Sequence, residues 1–407
     1  MPLGSSRDGI YHSAPGFSLE MPSVFAVLLV CAFVCVSGTA TAQGSGTVTV
    51  SDFEDLRSAS DSPSLDYVLS SDIDVSGEEV EVIGNEQEPF TGTFDGNGHK
   101  VSGLTLNRTG EENVGLFGYV GPDGTVTNLN VEDVGVTGGD SVGGIVGYNN
   151  KGTVRRSHAE GNVDGVGSVG GIVGRNLGVV TESHASVEVS GEDNVGGVAG
   201  RNAGVGEVSE SYATGSATGG TVVGGVVGSN GGDITDSYAM VDVEGDSTLG
   251  GLAGFNVGVV RRAYSTGVVS GARESGGFVG QNEGDVFGSY WNRETANQAI
   301  SGAGVPLSTA EMTGVNAPRN MDLEFGETWV RRDGGYPVLV WEVGGNERTP
   351  NGGTAQTDDG SSRDSGDDSG GETEGEDETP LPGFGAAAAV AALLLGGALL
   401  RRKQRLR

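Results

Sequence analysis

Between residues 142 and 292 one pattern returns six times at a period of about 26 residues, and it limits the chain more than any other feature. The frame is V-G-G-[IV]-[VA]-G-x-N-x-G, with copies beginning at Val142, Val169, Val195, Val223, Leu249 and Ser275. The asparagine falls at Asn149, Asn176, Asn202, Asn230, Asn256 and Asn282. A second marker keeps step: Ser157-His158-Ala159, Ser183-His184-Ala185, Ser211-Tyr212-Ala213, Ser237-Tyr238-Ala239, Ala263-Tyr264-Ser265 and Ser289-Tyr290-Trp291. So short a fixed period implies stacked units, each burying its apolar face on the next.

The unit is written in strand grammar. Apolar residues alternate over short stretches, as at Val187 and Val189 or Val241 and Val243, and Gly, Asn and Asp interrupt every few residues. No stretch of the repeat keeps a helical apolar face for three turns. Three short strands and three turns fill the period, which makes one coil of a β-helix. The expected fold is therefore all-β: a repeat solenoid, capped at both ends, with equivalent residues one strand spacing apart, about 4.8 Å. The pair Gly143-Gly144 and its equivalents permit close backbone approach.

Read this way, the repeated asparagine is a turn residue whose side chains hydrogen-bond along the stack. His158 and His184 share a slot with Tyr212, Tyr238, Tyr264 and Tyr290, so the slot is a stacking position and no metal site is expected. If exposed, the tyrosine column Tyr212, Tyr238, Tyr264 and Tyr290 becomes a surface for stacking sugar rings. Arg155-Arg156 and Arg261-Arg262 occupy equivalent positions, suited to pairing with nearby acids or to a carboxylated sugar. Asp95-x-Asn97-x-His99 has the start of a calcium loop, but Leu106 stands where the bidentate Glu is required, so it reads as a hairpin turn. No cofactor, catalytic constellation or nucleophile elbow is expected. Asn107-Arg108-Thr109 makes Asn107 a candidate N-glycosylation site.

These repeats, together with Val114-Gly115-Leu116-Phe117-Gly118, resemble the GLUG-motif family. The segments Phe90-Thr91-Gly92-Thr93-Phe94-Asp95-Gly96-Asn97-Gly98-His99 upstream and Gly335-Tyr336-Pro337-Val338-Leu339 downstream are similar to those that flank such arrays. The resemblance covers residues 48 to 342 and implies a surface protein or adhesin, with no catalytic residues to carry over.

The two ends of the chain speak to location. An apolar run from Val24 to Val36 leads to Ala40-Thr41-Ala42, so residues 1–42 read as a secretory signal cleaved between Ala42 and Gln43. Both cysteines, Cys31 and Cys35, lie within it, so the mature chain has no disulfides. Residues 346–381 carry 11 acids and two arginines with almost no apolar side chain, as an extended acidic stalk does. Pro382-Gly383-Phe384, an apolar run and a basic end then make up residues 382–407. This tripartite tail resembles the PGF-CTERM sorting signal of archaeal surface proteins. The resemblance implies that an archaeosortase removes the tail in exchange for a membrane lipid; the alternative is a retained single-span anchor.

Charge fits the same setting. The chain has 23 basic and 55 acidic residues, a formal net charge of −32. Such a balance suits molar salt, which screens the self-repulsion, and argues against nucleic acid as a partner. The expected organisation is a signal at 1–42, an N-terminal β region and cap at 43–141, six repeats at 142–292, a C-terminal cap at 293–345 with Trp329, Tyr336 and Trp341 in its core, the stalk, and the sorting signal. The functions in view are a membrane-anchored adhesin or S-layer-associated envelope component of a halophile, a carbohydrate-binding module, and a β-helical polysaccharide lyase or glycosidase. The expected partners are cell-envelope glycans or surface proteins on the extracellular face of the membrane.

Overall fold

The computed structural model describes residues 46–271 and 274–344. The signal with its Ala42–Gln43 cleavage point, the stalk, and the sorting signal with Pro382, Gly383 and Phe384 lie outside the described residues.

The chain winds into a β-solenoid in which every coil lays its strands parallel to those of its neighbours. One coil runs Val142–Gly143, Val146–Asn149, Thr153–Arg155 and His158–Asp164. There are thus four strands per coil, not the three expected. The Gly-Gly pair is the reason: it bends the chain between Val142 and Val146 so sharply that one apolar run becomes two strands. The four faces, named here for their character, are the glycine face (six strands), the asparagine face (seven), the short face (ten) and the aromatic face (twelve).

Close approach explains the glycines at this bend. A Cβ on Gly143 would lie 2.1 Å from the Val146 carbonyl oxygen, and one on Gly144 would lie 2.4 Å from that of Gly171. Any side chain at either position would push the coils apart. Inside, the apolar side chains form columns: Val154, Val180, Val208, Ile234 and Val260 on the short face, and Ile145, Ile172, Val198, Val226, Leu252 and Phe278 beside the glycine bend, all fully buried. Each column is apolar throughout, so the repeat's polar variation falls on outward positions.

At the N-terminal end, the strand Val48–Val50 pairs with Tyr67–Leu69 and opens the short face. The helix Phe53–Asp61 follows, with Asp52 as its N-cap accepting from the Asp55 N–H, and it sends Leu56 and Ala59 into the core. The Asp95–His99 turn is not a hairpin. It is a solenoid corner, because Thr93–Asp95 belongs to the short face and Lys100–Ser102 to the aromatic face. Asn97 takes a positive φ of 52° there, and the Asp95 carboxylate accepts from the Asn97 N–H and the Asn128 amide.

The C-terminal segment departs from a simple end cap. Residues near Ala296–Ser301 do cover the last coil: the Ile300 carbonyl accepts from Gly277 N–H, and Ser301 Oγ from the N–H groups of Phe278 and Val279. The chain then turns back, and residues 308–344 lie along the aromatic face as a clasp. Trp329 and Leu339 are fully buried there against Tyr238 and Tyr264, in a core separate from the solenoid interior. The physical reason is supply: the interior is already filled by the coils, and the flanks of the stacked tyrosines offer a large apolar surface outside it.

Candidate functional site

Three ladders run along the coils. In the first, each asparagine side chain donates to the next: Asn149 to Asn176 at 2.9 Å, Asn176 to Asn202 at 2.9 Å, Asn202 to Asn230 at 2.8 Å, then to Asn256 and Asn282 at 2.7 Å each. The same amides also close their own turns on the carbonyls of Gly152, Gly178, Gly206, Gly232, Gly258 and Gly284. Burial makes this network compulsory, since an unpaired amide here would forfeit its hydration. It ends abruptly at Asn149, whose Oδ1 is buried without a partner because Val120 occupies the matching position in the preceding coil.

The second ladder stands at the corner before the aromatic face. Asn128, Arg156, Glu182, Glu210, Asp236, Arg262 and Gly288 all adopt left-handed backbone there, with φ between 45° and 51°. Their side chains answer one another across coils. Arg156 pairs with Glu182, which Arg155 also approaches at 3.7 Å. Arg262 forms a fork on Asp236, with Nε at 2.8 Å from one carboxylate oxygen, and reaches Glu324 of the clasp at 3.5 Å. The arginines are therefore occupied by acids of this chain. Arg261 differs, lying over the Phe287 ring at 5.7 Å. Glu210 sits between Glu182 and Asp236, and its carboxyl is pushed up by burial and then by those two neighbours.

The third ladder is aromatic. His158 and His184 stack with ring centroids 3.9 Å apart, His184 and Tyr212 at 4.8 Å, Tyr212 and Tyr238 at 4.7 Å, and Tyr238 and Tyr264 at 5.0 Å. The last two pairs are within 5° of parallel. Most of this column is covered. Tyr238, Tyr264 and Tyr290 are buried beneath the clasp, where Tyr238 Oη donates to Glu342 at 2.9 Å, Tyr264 Oη donates to the Pro337 carbonyl at 2.6 Å, and Tyr290 Oη accepts from Asp322 N–H. An exposed sugar-stacking column over Tyr212, Tyr238, Tyr264 and Tyr290 is therefore not what the fold presents: the clasp has taken those ring faces. Tyr212 alone of the four stays half-buried, against Trp341 at 5.7 Å.

What remains open is the N-terminal end of the aromatic ladder. A groove of about 250 Å³ is lined by Asn130, Arg156, His158, Glu182, His184 and Trp341. It exists because Asn130, in register with His158, is too small to continue the stack. Burial, and then the neighbouring His158, lowers His184 to about 3, so its imidazole is neutral at ordinary pH. Among the described residues no cluster of three or more His, Cys, Asp or Glu side chains is placed to hold a metal ion. Asn107, the glycosylation candidate, is exposed on the strand Thr105–Asn107, with Thr109 Oγ1 donating to its side-chain oxygen at 3.0 Å.

The repeat that builds these ladders has a match among known families at residues 138–164. These residues carry the GLUG motif. The GLUG segment holds one complete coil: the glycine bend, the first asparagine of the ladder, and the arginine corner. Over 155 residues the chain is 35% identical to halomucin of Haloquadratum walsbyi, a match covering 33% of this chain and 2% of halomucin. Over 144 residues it is 30% identical to a candidate Gly-rich membrane protein of Evansella cellulosilytica, covering 27% of this chain and 17% of that protein. The chain thus spans a small fraction of the length of these relatives. A solved structure from Bacteroides ovatus, described as a candidate immunoglobulin A1 protease, superposes with a TM-score of 0.54 at 21% identity, over 72% of this chain and 92% of that one. That likeness concerns the fold alone.

Proposed function

We propose that this protein is a membrane-anchored cell-surface rod of a halophile, an adhesin or S-layer-associated envelope component that works by presentation and binding. The observation that carries this reading is that the corner acids and arginines, the groups a catalytic β-helix would deploy, are largely spent on one another and on the clasp. Halomucin, by organism, supports the saline setting, and the Evansella protein, by its name, supports a membrane association. The signal, acidic stalk and tripartite tail supply export, reach and attachment, with an archaeosortase and a membrane lipid as the partners of the tail. Envelope glycans or surface proteins are the partners of the rod.

A second reading is carbohydrate binding at the groove beside His158, His184 and Trp341, favoured by the conjunction there of the uncovered end of the aromatic stack at His158, a guanidinium and a carboxylate. A β-helical lyase or glycosidase is the third.

One assay separates them. The full-length protein, kept in molar salt, is incubated with isolated envelopes and with neutral and acidic polysaccharides, and both binding and new sugar ends are recorded. Binding without new ends supports the rod; chain cleavage overturns it in favour of an enzyme. Mass analysis of the protein extracted from cells tests the tail, with loss of residues 382–407 and a gained lipid as the expected result.

A further inference from the structure

The variable x before each ladder asparagine points outward from the asparagine face, and the parallel register stacks these residues into a single stripe. Tyr119, Tyr148, Arg175 and Arg201 stand on successive coils, followed by Ser229, Phe255 and Gln281. The stripe is on a different face from the clasp. Tyr119 and Tyr148 pack at 4.8 Å, and Asn150 steadies the Tyr119 hydroxyl at 2.8 Å. The Arg175 guanidinium lies over the Tyr148 ring at 5.3 Å.

The charges are the unusual part. Arg175 and Arg201 are direct register partners, so two guanidiniums project side by side, about 4.8 Å apart at the backbone. Among the described residues neither has a carboxylate within ion-pair distance, whereas Arg156 and Arg262 do. Arg175 Nε is in addition buried with no hydrogen-bond partner. In a chain with 55 acids and 23 bases, two adjacent cations left without an acid are not a consequence of composition. Two like charges in register repel, and an external anion relieves that repulsion while giving the forks their bidentate partner. Beside them, Tyr148 carries the Arg175 guanidinium over its ring and Tyr119 packed against it, so the two half-buried tyrosines offer a pyranose their outward edges.

We propose that this stripe is a binding platform for an acidic polysaccharide lying along the solenoid axis, with its carboxylate or sulfate on Arg175 and Arg201 and a neighbouring sugar on Tyr148. The coil spacing is close to the advance per monosaccharide in an extended chain, so consecutive sugars meet consecutive coils. In molar salt the Debye length is about 3 Å, so long-range attraction is screened and recognition depends on contact pairs like these. The proposal adds a face and a ligand class to the binding role proposed above.

The test is equilibrium binding of the full-length protein in molar potassium chloride to oligogalacturonate, sulfated dextran, unmodified dextran and polyglutamate. Binding to either acidic glycan, with dextran and polyglutamate at least tenfold weaker, is the expected result, and the two acidic arms identify the anion. R175Q/R201Q should weaken that binding by about tenfold or more, and Tyr148→Ala by a similar factor. Arg57→Gln, on the N-terminal helix Phe53–Asp61, should leave it unchanged. Equal binding of dextran or polyglutamate, or full retention by R175Q/R201Q, overturns the proposal. If the double variant loses its fold, Arg201→Gln, an exposed position, replaces it and should still lose several-fold. Because the assay uses purified protein, a failure here leaves cell-surface display standing.

Discussion

The indole N–H of Trp341 donates to the backbone carbonyl of Glu210, 131 residues earlier, at 2.9 Å. That carbonyl belongs to a left-handed corner in the middle of the repeats, so the clasp reaches back over several coils from the point where it leaves the last one. With Trp329 Nε1 on Asp236 at 2.9 Å and Tyr238 on Glu342, it ties side chains of the aromatic and corner ladders to one segment.

Removing the clasp's anchor should expose that surface. Trp329 is fully buried, and Trp329→Ala is expected to cost about 3–5 kcal/mol through lost packing, plus the orphaned Asp236 hydrogen bond. Limited proteolysis in molar salt should then cut first within residues 308–344 and leave the coils intact. Cleavage spread evenly along the coils would contradict this arrangement.

The asparagine ladder makes a sharper prediction. Asn202→Ala removes the donor to Asn230, Gly206 and Asp233, and the acceptor for Asn176. All these groups are buried or partly so, and the expected loss is about 2–5 kcal/mol in denaturant unfolding. Asn282→Ala, at the more exposed end, should lose clearly less. Equal losses would mean that the amides act singly.

At the other end the ladder lacks a rung. Val120→Asn places an amide opposite the orphaned Asn149 Oδ1, with Gly124 spaced from it as Gly206 is from Asn202. It should fold within about 1 kcal/mol of the parent, the new hydrogen bonds offsetting the lost apolar burial. Val126→Asn, equally buried but without such partners, should cost at least about 3 kcal/mol. Similar costs at both positions would refute the idea of an incomplete ladder.

Acid should weaken the fold through His184. Its folded value of about 3 lies below the ordinary 6.5, so the unfolded chain takes up a proton first as pH falls. The stability it contributes is present above pH 6.5 and is lost as pH falls toward 3. Glu342 and Glu210 are raised by burial and act in the opposite direction, their stabilisation growing as pH falls through their folded values. The comparison that isolates the histidine is therefore parent against His184→Tyr: the variant should lose less thermal stability between pH 6.5 and 4. Parallel curves would show that His184 does not supply the dependence.

Salt supplies the last test. With a net charge of −32, the thermal midpoint should rise steadily with potassium chloride up to molar concentrations. A midpoint independent of salt would remove the electrostatic basis for the halophilic reading.

The solenoid was legible in the sequence because its constraints are local and repeated: the Gly-Gly bend, the asparagine and the Ser-aromatic-Ala marker each recur at one coil's spacing. The number of strands was not, since one apolar run becomes two only through a bend that glycine permits but does not dictate. Nor was the fate of the tyrosines. Their spacing predicts a stack, but whether a stack is open depends on Trp329, Pro337 and Glu342, which follow no period and meet it only in three dimensions. The outward stripe was readable in principle as the x of the frame, Tyr148 then Arg175 then Arg201; residues that vary from copy to copy are the ones a search for repeats discards.

The backward reach of residues 308–344 also divides the rod into two unequal lengths. Among the described residues, the coils before His184 are held by nearest-neighbour stacking and the N-terminal helix, while those from Tyr212 to Tyr290 are strapped together by one continuous segment. Pure stacking arrays fray from whichever tip is weaker. This one has its fraying direction built in: heat or a pulling load should peel it from the N-terminal tip and stall at the strap, leaving a shortened but still folded stub.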